Sequence, residues 1–397
     1  MYHMREMYNG VDFRMEHDGD LYTVRVYDDK ERQIGRCKGN IVDVCLNGAV
    51  FKAMALGALM TTPENRRLGM ARHTFDMLSR VMEERGCVIS YLHPFSFNYY
   101  RSIGYERIAD HKIIEFPIDR LDFVPRYPDL EHVYSEDGTK ELEQVYNEFC
   151  RTRNAGFLRY NTTASLEPKA CAGYTYGGPF TYNFKGAMNY LSRDDQGKPE
   201  GYLTFRKEMD LTHHHLFGKV IVDEICFTTP QALTKLLGFI RMYDGEVDTV
   251  IFQNCGMAPE VEQMLRDYKY IKIQSVPDLC ARFHDVQAVL EGMVYPKIPG
   301  EFTVKVTDPG KLPFPTQKTE GTWNVKYQDG KATVTKLEDN APCDLELEMS
   351  ALAQLVHGFQ SYGKQTAQYA QGVILHNDCD DFFRAFPNRP CGLYDLF

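Results

Sequence analysis

The sequence predicts an α+β protein made of two similar strand–helix–strand units followed by a smaller α+β segment. The tripeptide Thr-Thr-Pro occurs twice, each time where an apolar strand pattern gives way to helical periodicity. The last third of the chain alternates short strand and helix patterns with loops that contain proline and glycine. At 397 residues the chain is also long for one hydrophobic core, so two or three domains are expected.

The first unit lies in residues 20–92. LYTVRVYD, NIVDVCL and AVFKAMALGALMT predict strands before Pro63, and CVISYL predicts a buried strand at 87–92. Between them, apolar residues spaced three or four apart predict the buried face of a helix: Leu68, Ala71, Phe75, Leu78 and Met82. Gly86 fits the end of this helix. The pattern is that of a βαβ crossover.

The second unit, residues 219–254, repeats this layout. An apolar strand leads to Thr-Thr-Pro at 228–230, a helical pattern follows, and DTVIF predicts the closing strand. The helical pattern is carried by Leu233, Leu236, Leu237 and Ile240. Because the tripeptide occupies the same position as residues 61–63, we interpret the two units as an internal repeat rather than a chance match. The second copy has QALTKLL where the first has ENRRLGMA, so it keeps the architecture and loses the arginines and glycine.

The remaining segments set the expected domain boundaries. Prolines in residues 118–130 predict a linker, and residues 135–153 predict a helix with an acidic start. After residue 284, a short helix, a strand and a hairpin at Asp329-Gly330 predict a separate small domain. We therefore expect a first domain at 1–120, a second at 121–283 and a third at 284–397.

Composition excludes several classes of protein. The apolar fraction is 43% and the charged fraction 25%, which is typical of a folded chain. A formal net charge of −10 disfavours a broad nucleic-acid surface and favours cationic ligands. No signal-peptide pattern opens the sequence, and no apolar run approaches the ~20 residues of a membrane span. We expect a soluble, cytoplasmic protein.

The cysteines and histidines give no metal-ligand spacing. Eleven cysteines without a CxxC pair indicate reduced, mostly buried thiols rather than a disulfide framework or a zinc site. His213, His214 and His215 are consecutive and have no matching ligand spacing, so we interpret them as a solvated turn. We expect no metal site.

The stretch TTPENRRLGMA, residues 61–71, has the residues that a phosphate site needs. A helix N-terminus offers unpaired N–H groups and the positive end of the helix dipole, so phosphate or pyrophosphate binds there readily. Gly69 would let an anion approach the backbone, Arg66 and Arg67 add charge, and Ala71 is small. The P-loop and GxGxxG patterns are absent. Taken alone, the spacing leaves an ordinary strand-to-helix turn as the other interpretation.

Two motifs resemble a known family. RRLGMA, residues 66–71, is similar to the Q/R-x-x-G-x-G/A signature of the GNAT N-acetyltransferases, and FSFNYYRSIGY, residues 95–105, resembles their later helix with tyrosine. The tandem units and the C-terminal α+β segment resemble the enhanced-intracellular-survival (Eis) type. That resemblance implies a catalytic GNAT domain, a degenerate GNAT-like domain and a domain with the sterol-carrier-protein fold.

The start of the sequence departs from the family pattern. GNAT domains usually open with a strand and two helices, whereas 20 residues precede LYTVRVYD here. The helical region commonly forms one wall of the acceptor site. We therefore expect a shortened wall, with a longer natural start as the other explanation.

The resemblance also implies the residues that perform the reaction. Tyr100 matches the tyrosine that protonates the departing thiolate, and Phe397 supplies the terminal carboxylate that accepts a proton from the amine. Tyr100 alternatively belongs to the core, and Phe397 alternatively is an apolar tail. Asp395 would be an ordinary surface residue or would attract a cationic amine. The residues implied to contact acetyl-CoA are Leu59, Met60, Thr61, Arg66, Arg67, Leu68, Gly69, Met70, Ala71, Arg72, Phe95 and Ser96.

The sequence thus predicts an acetyl-CoA-dependent N-acetyltransferase that acts on a cationic primary amine. Candidate acceptors are lysine side chains, polyamines and aminoglycoside-like polyamines, all compatible with the acidic chain. The alternative is a non-catalytic acyl-CoA- or lipid-binding protein that uses the C-terminal domain as a carrier. The resemblance further implies a homo-oligomer, often a hexamer, and the acidic net charge leads us to expect no nucleic-acid partner.

Overall fold

A computed structural model describes residues 3–133, 136–160, 169–171, 174–176, 187–209, 218–310, 318–359, 364–395 and 397. The predicted turn at His213–215 lies outside the described residues. Within the described ranges, every helix is too short or too polar to cross a lipid bilayer. The chain divides into two compact units, one made of residues 1–109, 278–391 and 397, the other of residues 110–277 and 392–396.

The first unit begins with strands and one long helix. Its elements up to residue 109 are β1 (Met4–Tyr8), β2 (Val11–Asp18), β3 (Leu21–Tyr27), β4 (Gln33–Leu46), β5 (Ala49–Thr61), α1 (Met70–Glu84), β6 (Ile89–Leu92), α2 (Phe97–Arg101) and the start of β7 (Glu106–Pro117). Neighbouring strands from β1 to β5 pair antiparallel, because tight turns join them. The pair β5–β6 is parallel, as expected for strands joined by a crossover helix.

The helix α1 closes the core of this sheet. Its buried face includes Phe75, Leu78, Val81 and Met82, which pack in one cluster with apolar side chains of β2 to β6. The helix begins at Met70, later than the spacing predicts, and Leu68 precedes it with 52% of its surface exposed. The assignment of Leu68 to the buried face is therefore wrong.

The second unit repeats the crossover. Its elements are the rest of β7, β8 (Glu131–Val133), α3 (Glu136–Cys150), β9 (Lys169–Cys171), β10 (Tyr174–Tyr176), β11 (Met188–Arg193), β12 (Pro199–Met209), β13 (Gly218–Phe227), α4 (Pro230–Ile240), β14 (Thr249–Phe252), α5 (Glu260–Met264) and the start of β15 (Lys272–Phe283). Strands β13 and β14 are parallel and flank α4, as the second Thr-Thr-Pro unit predicts. The four apolar residues expected on the inner face of α4 are all buried.

The C-terminal part of the first unit forms a separate five-stranded mixed sheet. After the end of β15 follow α6 (Val286–Gly292), β16 (Gly300–Thr307), β17 (Gly321–Gln328), β18 (Lys331–Leu337), β19 (Leu345–Glu348), α7 (Met349–His357), α8 (Lys364–Ala367), β20 (Val373–Leu375) and α9 (Asp380–Ala385). The strand order is β18-β17-β16-β19-β20. Asp329 and Gly330 both have positive φ, at 53° and 86°, as the hairpin turn requires. The α+β prediction is confirmed.

The structure bears on two further expectations, one about the cysteines and one about the N-terminal segment. The ten cysteines whose side chains are described form no disulfide with one another, and eight of them are buried. The first residues, expected to be a shortened helical region, form the antiparallel hairpin β1–β2, which continues the sheet beyond β3. Alternating burial of Val11, Phe13 and Met15 explains why this segment is a strand.

Candidate active site

The turn before α1 leaves a row of backbone N–H groups open. Pro63–Asn65 form one turn of 3-10 helix, Arg67 and Gly69 then take left-handed φ values of 66° and 80°, and α1 begins at Met70. None of the described side chains caps the helix, and its first turn contains no acidic residue. Across the described ranges, the N–H groups of residues 68–71 donate to no protein atom. Such a terminus suits an anion such as the pyrophosphate of CoA.

The backbone conformation of Gly69 favours glycine, because its φ of 80° is strained for any residue with a Cβ. An ideal Cβ there would lie 3.4 Å from the Tyr8 hydroxyl, in ordinary contact with it. The Tyr8 ring stacks on His73 at 4.4 Å between centroids, and 37% of Tyr8 remains exposed. The hairpin β1–β2 therefore brings a hydroxyl beside the open N-terminus of α1, a neighbour that local sequence patterns do not reveal.

The corresponding corner of the second unit is closed by its own side chains. The Thr229 hydroxyl caps α4 by accepting from the Ala232 N–H at 3.0 Å, and it also lies 3.2 Å from the Glu200 carboxylate. The Lys235 ammonium donates to the same carboxylate at 2.7 Å. An internal carboxylate thus takes the place that an anionic ligand would need. This arrangement explains in physical terms why the second copy can keep the fold without the arginines and glycine.

Strand β5 is irregular where it approaches the turn. Lys38 of β4 pairs with Gly57, but Arg36 pairs with Met60, so β5 has an extra residue between these pairs. Ala58 accommodates it with a φ of 52°, uncommon for a residue other than glycine. A bulge of this kind leaves backbone groups of the following residues outside the regular ladder. The residues expected to meet the acyl-pantetheine, Leu59 to Thr61, are those that follow it.

Phe397 lies against the same bulge. An ideal Cβ on Gly57 would be 2.7 Å from both the carbonyl carbon and the carbonyl oxygen of Phe397. Real Cβ atoms do not approach other atoms so closely, so only glycine fits at position 57 beside this carbonyl group. The sequence analysis named Phe397 but missed Gly57, which no local motif marks.

A histidine–aspartate pair lies beside Phe397. The His93 ring follows β6 directly, and its centroid lies 4.8 Å from that of the Phe397 ring. His93 Nδ1 and Asp278 Oδ1 are 2.7 Å apart, which fixes the orientation of the imidazole. Its Nε2 is buried and has no hydrogen-bond partner among the residues that the structure describes. The structure thus adds two polar groups that the sequence analysis did not single out.

Tyr100 lies in an aromatic pocket on the short helix α2. Ser96 caps this helix by accepting from the Tyr99 N–H at 3.4 Å, so its hydroxyl is engaged. Tyr100 is 3% exposed, and its ring contacts four aromatic neighbours: Phe75, Phe95, Tyr99 and Tyr105. Within the described part of the chain, no side chain or backbone group hydrogen-bonds the Tyr100 hydroxyl. Burial raises the pKa of this phenol well above its usual range, so it stays protonated.

Cys37 links these features within one core cluster. Its thiol points to the Gly57 carbonyl oxygen at 3.6 Å, and Cys37, Tyr100 and the partly buried Leu59 belong to the same cluster. Burial raises the pKa of Cys37 to about 12, so it is a neutral, apolar neighbour. Tyr100 therefore belongs to the same core cluster as Cys37 and Leu59, which lie on either side of the β4–β5 pairing at the bulge. By contrast, Phe95 is 70% exposed and Leu68 projects from the turn.

Asp395 is not the ordinary surface residue that the sequence analysis favoured. Its carboxylate accepts from Arg159 Nε at 3.0 Å and from the Tyr146 hydroxyl at 2.9 Å, and Arg159 also donates to Glu224. Arg159 is 5% exposed, so the aspartate takes part in a buried charge network of the second unit. Asp395 and Glu224 thus share the single positive charge of Arg159.

Comparison with known families agrees with this geometry. Two sequence profiles, each described as an acetyltransferase (GNAT) domain, match residues 11–108 and 180–282, which together make up just over half of the chain. No curated protein sequence matches significantly. The first matched region contains the open turn, the bulge and Tyr100, and the second contains the closed corner at Thr229.

Solved structures share the fold along nearly the whole chain. A GCN5-related N-acetyltransferase from Anabaena variabilis ATCC 29413 has a TM-score of 0.77 at 18% identity, with 94% of this chain and 89% of that chain covered. A probable N-acyltransferase from Enterococcus faecalis V583 has a TM-score of 0.73 at 19% identity, with 96% and 90% covered. Eis1 from Mycobacterium abscessus has a TM-score of 0.72 at 15% identity, with 94% and 91% covered.

The chain therefore belongs to the GNAT acetyltransferases and carries two of their domains in tandem, which makes it an acyltransferase. The family implies acetyl-CoA as the co-substrate. In its full-length fold, with a C-terminal five-stranded domain after the two GNAT domains, the chain is similar to Eis1.

The first prediction concerns the turn before α1. We expect Gly69→Ala to raise the KM for acetyl-CoA roughly five- to thirtyfold, because a Cβ at a left-handed φ costs about 1–2 kcal/mol and displaces the N–H groups. Gly86→Ala is the matched control: Gly86 has a φ of 68° and no atom within 4 Å of a Cβ. Thermal unfolding should shift similarly in both variants, and equal KM values would contradict the assignment.

The second prediction concerns Gly57. We expect Gly57→Ala to lower kcat/KM for acetyl transfer on the order of 10²-fold, because the new methyl group displaces Phe397 by about an ångström. The measurement is a double-mutant cycle with a chain that lacks Phe397. If Gly57 acts through Phe397, Gly57→Ala has little further effect in the shortened chain. A full additional loss there would contradict this explanation.

Proposed function

We propose that the chain transfers the acetyl group of acetyl-CoA to a cationic primary amine, with Tyr100 as general acid and the carboxylate of Phe397 as general base. The observation that carries the proposal is the contact between the Phe397 carbonyl group and Gly57, at the bulge of the GNAT strand β5. Acetyl-CoA supplies the thioester. The protein's own groups have to bind it, hold the amine and move two protons.

The turn before α1 is the proposed anchor for the pyrophosphate. The N–H groups of residues 68–71 and the helix dipole favour an anion, and the guanidinium groups of Arg66, Arg67 and Arg72 add positive charge. The bulge residues Leu59, Met60 and Thr61 would align the pantetheine arm through backbone groups. Phe95 and Ser96, after β6, are further proposed contacts, with the exposed Phe95 ring as the apolar surface.

Tyr100 is available as a proton donor because burial keeps its hydroxyl protonated, and the same rise in pKa means that the proton acceptor must be strongly basic. The raised pKa of the buried phenol keeps it neutral at physiological pH, and the hydroxyl has no competing acceptor among the described residues. A thiolate that leaves in a water-poor site is basic enough to take a proton from a nearby phenol, since an ordinary thiol has a pKa of about 8.5 and desolvation raises it.

The Phe397 carboxylate is proposed to accept the amine proton. A free α-carboxyl has a pKa of about 3.5, so it is a weak base in water and becomes stronger when buried. The Phe397 ring packs against His93, which Asp278 orients, and this contact limits how far the carboxylate can move. The roles of His93 and Asp278 in this proposal are orientation and exclusion of water.

A cationic acceptor is supported by charge. The chain carries 55 acidic against 45 basic side chains, and Asp278 adds a carboxylate close to Phe397. Lysine side chains, polyamines and aminoglycoside-like polyamines all fit this description. We also propose that the chain forms a homo-oligomer, with a hexamer as the expected size. Light scattering measures this size directly.

The test of the function is release of free CoA with a panel of amines. We expect turnover with polycationic primary amines and little with neutral ones. A chain extended by two residues beyond Phe397 should lose about 10²-fold or more in kcat, because the base becomes a peptide carbonyl. Full activity of the extended chain would refute the carboxylate role. Binding of acyl-CoA or co-purified lipid without turnover of any amine would instead favour the carrier alternative.

A separate prediction concerns Tyr100. Tyr100→Phe removes the acid and keeps the ring, so we expect kcat to fall about 10²- to 10⁴-fold with little change in thermal stability. Tyr99→Phe, one residue away, is the control. Because burial raises the pKa of Tyr100, the wild type should show no loss of kcat from phenol ionisation up to about pH 10. An alkaline limb near pH 8 that disappears in Tyr100→Phe would contradict this role.

A further inference from the structure

Three side chains with different metal-binding chemistry meet on the five-stranded sheet. Cys343 lies two residues before β19, Glu346 is the second residue of β19, and His376 directly follows β20. The Cys343 sulfur, a Glu346 oxygen and an imidazole nitrogen of His376 all lie within 4.8 Å of one another. His376 and Glu346 are 30 residues apart in the sequence, so no local sequence motif indicates this cluster of three side chains.

The backbone of the sheet holds the three residues in place. The His376 N–H donates to the Asp344 carbonyl oxygen at 2.8 Å, which continues the β19–β20 ladder by one pair. Since Asp344 lies between Cys343 and β19, the turn that carries the thiol is tied to the turn that carries the imidazole. Glu346 itself belongs to the ladder, paired with Ile374. The cluster thus comes from rigid elements of the fold.

In the structure, a hydrogen bond joins two of the three side chains. His376 Nε2 and Glu346 Oε1 are 2.8 Å apart, and the Lys305 ammonium lies 3.1 Å from the other Glu346 oxygen. Both oxygens of the Glu346 carboxylate therefore already face polar nitrogen atoms, one of an imidazole and one of an ammonium group.

We propose that Cys343, Glu346 and His376 form a binding site for a thiophilic divalent cation of the zinc class. Thiolate, imidazole and carboxylate are the ligands that zinc takes in proteins, at about 2.0–2.3 Å from the metal. In tetrahedral coordination these ligand atoms are about 3.5 Å apart. Side-chain movements of about an ångström would therefore bring the three atoms to coordinating distance. The cation replaces the proton between His376 and Glu346, the thiol releases its proton, and water completes the fourth position.

Lys305 makes the proposal sharply testable. When a cation binds, Lys305 would keep its contact with Glu346 Oε2, and its positive charge would repel the cation. Removing that charge should therefore tighten binding about tenfold. A purely structural role of Lys305 in orienting Glu346 predicts the opposite, a weaker site.

The experiment is a titration of the full chain with Co²⁺ alone, followed by displacement with Zn²⁺. We expect one equivalent of cobalt to give a near-ultraviolet sulfur-to-metal charge-transfer band. Cys343→Ser should abolish the band, Glu346→Gln and His376→Asn should weaken binding at least tenfold, and Lys305→Met should strengthen it. Cys391→Ser, at another partly buried thiol, is the matched control and should leave the band unchanged.

Thermal unfolding gives a second measurement. Zn²⁺ should raise the midpoint of the wild type and of Cys391→Ser, and should not raise that of Cys343→Ser. The proposal is overturned if Cys343→Ser keeps the cobalt band and its stoichiometry, or if Lys305→Met binds the metal more weakly. Neither measurement depends on acetyl transfer, so the outcome is independent of the proposed function.

Discussion

The pairing of β4 and β5 changes register once along their length, because β5 has one extra residue there. The surroundings of the candidate site depend on this bulge. The shift between the pairs at Lys38 and Arg36 is absorbed by the left-handed Ala58. Beside this bulge, Gly57 has no side chain, and the Phe397 carbonyl group lies against it. On the other side, the Cys37 thiol packs under the Gly57 carbonyl in the cluster that also holds Tyr100. A regular strand would bring none of these groups together in this way.

The two crossovers show how similar strand–helix corners can differ in chemistry. At α1, left-handed residues delay the start of the helix and leave the N–H groups of residues 68–71 without protein partners in the described ranges. At α4, Thr229 caps the helix and Glu200 supplies the negative charge internally. Binding capacity therefore depends less on the fold than on whether the helix terminus is already satisfied. Arginines like Arg66 and Arg67 would contribute little at α4, because Thr229 and Glu200 already occupy its N-terminus.

Local patterns predicted the elements and failed at residues whose conformation depends on distant partners. AVFKAMALGALMT coincides with β5, and the apolar face of α4 is buried as expected, because both follow from side-chain periodicity alone. Leu68 was misplaced because left-handed backbone at Arg67 and Gly69 postpones α1, which periodicity does not detect. Gly57, Tyr8, His93 and Asp278 were missed, since their partners lie far away in the chain; His93 and Asp278 are 185 residues apart. Tyr100 and Phe397 entered only through the family resemblance.

The closed corner of the second domain also constrains its evolutionary future. Glu200 is held by Thr229 and Lys235, so removing the carboxylate alone would leave a lysine and a hydroxyl in need of new partners. Introducing an arginine–glycine turn without that change would leave the terminus capped by Thr229. Opening this corner to an anion would thus need several substitutions together, because the carboxylate, the ammonium group and the hydroxyl satisfy one another. The corner is in this sense robust to single mutations.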